Sequence, residues 1–271
     1  MKINPLIDIA ILIPCYNNYE GLITSINSIN YHIDRCLLLI VDDGSHEPIT
    51  NKLISSGLER GMNFKILRLN NNAGITKSLN FGLDYIYDNL NIKYIARLDC
   101  GDICAPSRFN TQVSYLESNK DIDLIGSWCH FKNADSTQAY KFSAPTKHKD
   151  IMKSIYFKNV FIHPTVMWRQ KEFDNIKYPE IYPHAEDYGL FFSMILKLKS
   201  AIINEYLVTC EINPNGISLK NRKIQLKSRL KVISYYSTNK LLFLLGAIKL
   251  KLLLLLPYRI IFVTKKLLYK I

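Results

Sequence analysis

Three acidic pairs dominate the chemistry this chain could do: Asp42-Asp43, Asp99 with Asp102, and Glu186-Asp187. Asp99-Cys100-Gly101-Asp102 follows the apolar run Tyr94–Leu98, which reads as a buried strand. Two carboxylates at the carboxyl end of such a strand suit a phosphate-bearing ligand held through a cation or through its sugar hydroxyls, and Gly101 leaves room beside the backbone. The plainer reading is a solvated turn whose Asp102 caps the helix opened by Pro106. Glu186-Asp187 follows the irregular link Pro179–Pro183 and opens an apolar helix. A carboxylate there can take a proton from an attacking hydroxyl, or it can simply favour the positive end of the helix dipole.

The elements that must position these acids follow from periodicity. Ile7–Ile13, Leu37–Val41, Phe64–Leu69 and Tyr94–Leu98 are short apolar runs of strand length. Between them lie helical stripes: Leu22, Ile23, Ile26 and Ile29; then Ile49, Leu53, Ile54 and Leu58 behind Pro48; then Leu79, Leu83 and Ile86. Strands alternating with helices predict a parallel, doubly wound sheet, so the polar clusters ending the four strands must share one edge. No Gly-x-Gly-x-x-Gly follows the first strand. Beyond Asn110 the pattern changes: strands over Ile122–Trp128 and Ala201–Glu211 (with a kink or edge at Glu205), a short helix over Lys147–Phe157, and a basic helix from Lys220 to about Asn239. Asn213-Pro214-Asn215-Gly216 reads as a turn.

Composition narrows the class. The 271 residues are 48% hydrophobic and 21% charged, as in a globular protein. Of 35 Lys and Arg, 13 lie between Ile212 and Ile271, a stretch without Asp or Glu, leaving 22 against all 23 acids elsewhere. The core is therefore almost neutral, which argues against nucleic-acid binding. The six cysteines form no Cys-x-x-Cys pair, so reduced thiols are expected rather than a zinc ribbon. Met1–Pro5 lacks the regions of a signal peptide, and a cytoplasmic location is expected.

Taken in order, Ile13-Pro14-Cys15-Tyr16-Asn17, Val41-Asp42-Asp43-Gly44-Ser45, Asn72-Ala73-Gly74 with Asn80 and Gly82, Arg97-Leu98-Asp99 to Asp102, and Glu186-Asp187 resemble the motifs of a family-2 glycosyltransferase of the GT-A fold, of the bacterial polysaccharide and lipopolysaccharide type. The resemblance covers about residues 5 to 215. It implies an α/β GT-A domain over 1–218, with a Rossmann-like nucleotide-binding half (1–110), an acceptor half (111–218) and a mostly parallel central sheet flanked by helices. It implies a nucleotide-sugar donor, UDP-linked, and a glycan or lipid-linked acceptor. Pro14 and Tyr16 would flank the base, with Tyr16 stacking or bonding through its backbone. Asp43 would accept from the base imide, and Asp42 would brace the loop. Asn72, Gly74 and Lys77 would border the diphosphate or ribose; on their residue types alone they also read as a helix start.

Relatives usually carry Asp-x-Asp-Asp at the acid loop, where the third position helps hold Mg²⁺ or Mn²⁺ on the diphosphate. Here that position is Gly101, leaving Asp99 for ribose or metal and Asp102 as a further ligand of the divalent cation. By the same resemblance Asp187 is the general base of an inverting transfer, and Glu186 orients the acceptor. His163 and His184 are not nominated. The family loop that closes over the diphosphate falls at Asn213–Ser218, where the chain has no His, so Lys220 or Arg222 would stand in. The rival readings are a sugar nucleotidyltransferase, a catalytically inactive nucleotide-sugar-binding module, and a structural membrane-surface protein.

Residues 219–271 form a basic, apolar tail. Leu241–Leu256 carries Lys249 and Lys251 and is shorter than the ~20 apolar residues of a spanning helix. It is expected to lie on an anionic membrane surface, making the protein peripheral to the inner face of the cell membrane. The alternative is a helix packed on the domain with its lysines reaching outward.

Overall fold

The computed structural model describes residues 7–133, 137–171, 175–212 and 220–257. The first half alternates β1 (Ile9–Cys15), α1 (Tyr19–Asn27), β2 (Cys36–Asp42), α2 (Asn51–Gly57), β3 (Asn63–Arg68), α3 (Ile75–Asn89) and β4 (Tyr94–Arg97). The second half comprises β5 (Ile103–Cys104), α4 (Arg108–Ser118), β6 (Leu124–Lys132), β7 (Gln138–Phe142), α5 (His148–Ser154), β8 (Met167–Arg169), α6 (Glu186–Ile195) and β9 (Ser200–Glu211). Two further helices follow, α7 (Arg222–Tyr236) and α8 (Lys240–Leu255).

One nine-stranded sheet runs β3-β2-β1-β4-β8-β6-β9-β5, with β7 pairing to β6 beside that path. Strands β3, β2, β1 and β4 are mutually parallel, as the alternation requires, so their carboxyl ends share an edge. β8 joins β4 and β6 antiparallel, and β9 returns parallel to β6. The apolar runs of β1 and β2 are continuous because both faces are covered. Ala10, Leu12, Leu39 and Val41 face α3, while Ile9, Ile11, Leu38 and Ile40 face α1 and α4. Each of the Leu, Ile and Val side chains among them contributes about 1.5–3 kcal/mol on burial. β3, at the sheet edge, instead alternates exposed Asn63 and Lys65 with half-buried Phe64 and Ile66.

Gly82 explains how closely α3 lies on the sheet. A Cβ there would stand 2.4 Å from Leu12 Cδ1 and 3.0 Å from Val41 Cγ2. Asn80, two residues earlier, clamps the segment before α6: its Nδ2 donates to Tyr178 O (2.9 Å) and its Oδ1 accepts from Tyr178 N (2.8 Å). Two helix starts lie later than their prolines suggest. The helix behind Pro48 begins at Asn51, because Thr50 caps it and Ile49 N is already bonded to Asp42 Oδ2 (3.1 Å). The helix behind Pro106 begins at Arg108, whose N–H closes a turn onto Ala105 O (3.0 Å). The kink expected at Glu205 is a bulge: Ser127 pairs with Ile203 and Trp128 with Tyr206, leaving Asn204 and Glu205 unmatched.

The tail helices pack on the domain. Tyr236 of α7 stacks on Phe192 of α6 at 5.8 Å, and α8 lies so close to Tyr156 that a Cβ on Gly246 would stand 2.5 Å from Tyr156 O. Among the described residues no helix is long and apolar enough to cross a membrane.

Candidate active site

The end of β2 is a tied loop. Buried Asp42 accepts from Ser45 N (2.9 Å) and Ile49 N (3.1 Å) and pairs with Arg68. Burial alone would raise its pKa, but these bonds to Ser45, Ile49 and Arg68 outweigh burial and hold it below the usual carboxylate value. Asp43 links two strand ends: Oδ1 accepts from Ala73 N (2.8 Å) and Oδ2 from Gly74 N (3.0 Å). Gly44 is needed between them, since its φ is +68° and a Cβ would meet Asn71 C at 2.4 Å. Pro14 is buried within β1, while Tyr16 just beyond is 41% exposed and meets His46 edge-on at 6.1 Å. Gly74 begins α3 without a side-chain cap, and Asn72 and Lys77 are exposed on either side of it.

The acid loop rests on two fully buried arginines. Arg97 pairs with Asp99 and donates to Leu12 O, while its Nε donates to His163 Nε2 (3.2 Å). Arg108 Nη2 in turn donates to Arg97 O (2.7 Å). Asp102 does not cap the following helix. Strand β5 pairs with β9, which brings Cys210 and Glu211 over the loop, and Asp102 Oδ1 accepts from Glu211 N (3.3 Å). Gly101 has φ +98° and nothing within 4 Å of an added Cβ, so backbone conformation rather than crowding favours glycine there.

Glu186-Asp187 opens α6 opposite the acid loop. Asp187 Oδ1 accepts from Tyr188 N (2.7 Å) and Oδ2 from Asn159 Nδ2 (2.8 Å). Glu186 is buried and its Oε2 has no hydrogen-bond partner among the described residues. Burial raises both carboxyls, Asp187 to about 6 and Glu186, which also feels the Asp187 charge, to about 7. His184, just before the pair, has the left-handed φ of +62°, a strained conformation that turns the chain into the helix.

Asp99, Asp102, Glu186 and Asp187 all line one cleft of about 450 Å³, together with His163, His184, Asn159 and Gln225. The sequence-predicted acids of the two halves, 84 positions apart from Asp102 to Glu186, therefore meet in a single site. The family model described as "Glycosyl transferase family 2" matches residues 10–176, well over half of the chain. The chain belongs to glycosyltransferase family 2.

Relatives agree. This glycosyltransferase is 29% identical over 260 residues to the bifunctional glycosyltransferase pgtA of Dictyostelium discoideum, covering 81% of this chain and 33% of that protein. It spans only a third of that relative's length. It is 27% identical over 191 residues to the amylovoran biosynthesis glycosyltransferase AmsE of Erwinia amylovora, covering 69% of each. Two solved structures share the fold. One is S. aureus TarS 1-349 in complex with UDP-GlcNAc (TM-score 0.64, 16% identity, 89% of this chain and 69% of that one). The other is the Pyrobaculum calidifontis mannosyltransferase PcManGT in complex with GDP-Man and Mn²⁺ (TM-score 0.62, 11% identity, 85% and 64%).

The glycosyltransferase offers hard oxygen donors for a divalent cation in Asp99 and Asp102, and the chemistry fits. Burial first, then the charge of Asp99, pushes the Asp102 carboxyl up to about 8, a penalty that a nearby cation would offset. Among the described residues no three His, Cys, Asp or Glu side chains could hold an ion by themselves, so ligand oxygens would have to complete its shell. Arg222 is not available over the cleft, because its Nη2 is bonded to Leu253 O of α8. Lys220 is exposed, and the Asn213–Ser218 loop lies outside the described residues. All six cysteines are free thiols, as expected.

Sequence reasoning missed Asn159 and Arg97. Asn159 had one weak signal, a lone amide before the apolar Val160-Phe161-Ile162. Arg97 stood inside a quoted motif, but only the fold shows that it holds Asp99. His163 is half-buried between Arg97 and Tyr178, and desolvation, then the Arg97 charge, drives its ring well below ordinary histidine, to about 3. Its Nε2 accepts from Arg97 Nε, a role that fits the neutral ring.

Proposed function

We propose that this enzyme moves a sugar from a nucleotide-sugar donor, a UDP-sugar, to a hydroxyl of a glycan or lipid-linked acceptor, with inversion at the anomeric carbon and Asp187 as general base. The observation that carries the reading is that Asp187, its pKa raised, shares a cleft with Asp99 and Asp102. Asn159 and Tyr188 N fix the carboxylate without neutralising it, so it can take the proton of the acceptor hydroxyl as that oxygen attacks. Glu186 orients the acceptor from beside it. On the opposite wall, Arg97 holds Asp99 towards the ribose and diphosphate of the donor. Asp99 and Asp102 would hold a divalent cation, Mg²⁺ or Mn²⁺, which when bound supplies positive charge to the departing diphosphate. Tyr16 and Asp43 take the base, and Asn72, Gly74 and Lys77 lie along the phosphate side.

The tail supports a peripheral membrane position. Gly246, Ala247 and Leu250 of α8 are buried, with Leu242, Phe243, Leu253 and Leu254 half-buried beside them, and a stripe of Leu241, Leu244, Leu245, Ile248, Leu252 and Leu255 faces solvent beside Lys240, Lys249 and Lys251. An apolar stripe flanked by lysines suits an anionic bilayer at the inner face of the cell membrane.

The test is a donor screen. UDP-, GDP- and dTDP-sugars are offered with and without Mn²⁺, and nucleotide release is followed in the presence of candidate acceptors. Release from a UDP-sugar alone is the expected result. Binding without turnover across all donors and acceptors would instead favour an inactive nucleotide-sugar-binding module.

A further inference from the structure

We propose that His184 donates an imidazole N–H to the diphosphate of the donor as that group departs. The inference rests on the reading of this cleft as the site of sugar transfer and adds a residue to that reaction. Ala185 N donates to Tyr182 O (3.0 Å), closing a turn over Pro183 and His184. Proline at the second position and a φ of +62° at the third give it the pattern of a type II turn, in which glycine is the ordinary third residue. Tyr182 and Ala185 are buried, so the turn is fixed at both ends. A histidine there carries backbone strain that glycine would not, and such outliers cluster at active sites and ligand clamps.

The cleft around it is rich in acceptors and short of donors. Asp99, Asp102, Glu186, Asp187 and Glu211 line it, and among the described residues no Lys or Arg does. A diphosphate brings further oxygens and needs N–H groups aimed at them. Asn159 turns its amide NH₂ to Asp187, and His163 is taken up by Arg97 and Tyr178. His184 lines the same cleft, half-buried, and its imidazole has no hydrogen bond or ion pair among the described residues. Either neutral tautomer carries one N–H, so the ring can donate without first taking up a proton.

Placement selects the diphosphate. The segment that carries His184 is tied to α3 through Asn80 and Tyr178, and Ile75, the first residue of α3, also lines the cleft. Gln225, another donor in the lining, instead stands on α7, which packs on α6. Along the chain His184 falls between the clamp at Tyr178 and the acid pair Glu186-Asp187, hence between the phosphate side and the base. In the transfer the acceptor oxygen bonds to the anomeric carbon and its proton goes to Asp187. The bond from that carbon to the diphosphate oxygen breaks, and its electron pair leaves on the oxygen. A hydrogen bond from His184 strengthens as this charge develops, which lowers the barrier.

The experiment follows two reactions of the full chain with the UDP-sugar that the donor screen selects: slow donor hydrolysis without acceptor, and transfer to the best acceptor. Hydrolysis breaks the bond to the diphosphate but involves no acceptor sugar. His184→Gly suits the left-handed backbone, so its Tm should equal or exceed that of the wild type. Both rates should fall by about 10²–10³-fold, and imidazole in solution should restore part of each. His184→Asn, which tolerates the same φ, serves if glycine loosens the turn, and again the two rates should fall together. Slower transfer with unchanged hydrolysis would place His184 on the acceptor and overturn the proposal. Two unchanged rates, or a loss that imidazole does not restore at all, would overturn it as well. Asp187→Asn, with His184 intact, judges the base separately. A wild type that releases no nucleotide from any UDP-sugar would overturn the transfer reading, and the role of His184 with it.

Discussion

Replacing Asp187 by Asn removes the proposed base while keeping the shape of the side chain. Asp187 accepts two hydrogen bonds, from Tyr188 N and from Asn159 Nδ2. An Asn amide oxygen can keep one acceptor position, but its NH₂ would face a donor at the other. The fold should therefore lose about 1–2 kcal/mol, visible as a lowered Tm but not as unfolding. Turnover should fall by about 10²–10⁴-fold, or about 2.7–5.5 kcal/mol of transition-state stabilisation, with donor affinity almost unmoved. The pH profile gives a second reading. Burial raises Asp187 to about 6, so the wild-type carboxylate is charged above that value and protonated below it. The kcat of the wild type should fall tenfold per unit as pH drops through about 6, and this limb should vanish in the variant. The assay is nucleotide release with the best donor–acceptor pair from pH 5 to 9, alongside UDP calorimetry. A folded Asp187→Asn enzyme with kcat within a few-fold of wild type would refute the argument. Glu186, raised by burial to about 7, would then be the candidate, with its limb one unit higher.

Asp43→Ala should weaken UDP binding by about 1.5–3 kcal/mol through loss of a charge-assisted bond. It should also lower the Tm, because Ala73 N and Gly74 N lose their acceptor; unchanged UDP affinity in calorimetry would take Asp43 out of the donor site. Asp99→Asn should abolish Mn²⁺-stimulated turnover, and full wild-type activity in excess chelator would show that the acid loop works without a cation. On anionic vesicles the chain should float, whereas a Leu244→Gln/Leu252→Gln variant, altered at two exposed positions of α8, should remain in the soluble fraction. Equal flotation of the two would discard the stripe as a membrane contact.

The parallel half was legible because its signals are local and redundant. Four apolar runs of strand length alternate with three helical stripes, and burial on both sheet faces leaves no other arrangement for them. The acids were legible as residue types at strand and helix ends. Their partners were not. Asn159 reaches Asp187 across 28 positions, Arg97 reaches His163 across 66, and Glu211 reaches Asp102 across 109. No spacing rule connects such residues: the antiparallel return of β9 onto β5 brings Glu211 to Asp102, and the pairing of β8 with β4 sets the segment before it, with His163, beside Arg97.

The tail shows how one pattern leaves two arrangements open. A leucine-rich helix with lysines suggests two arrangements: lying on a membrane, or packed on the domain with lysines outward. The structure has α8 packed on the domain with its lysines exposed and a stripe of leucines, Leu241, Leu244, Leu245, Leu252 and Leu255, outward as well. A helix apolar on every side can bury only one face here, and hydrophobicity does not choose which. Close approach does. Gly246 lets the backbone of α8 come against Tyr156 O, where any Cβ would stand at 2.5 Å, and Ala247 and Leu250 follow on the same side. The smallest residues of the segment thus mark its closest contact, Leu242, Phe243, Leu250, Leu253 and Leu254 pack beside them, and the remaining large residues stay exposed. The glycine that looks like a flaw in an apolar helix is what turns the leucine stripe outward.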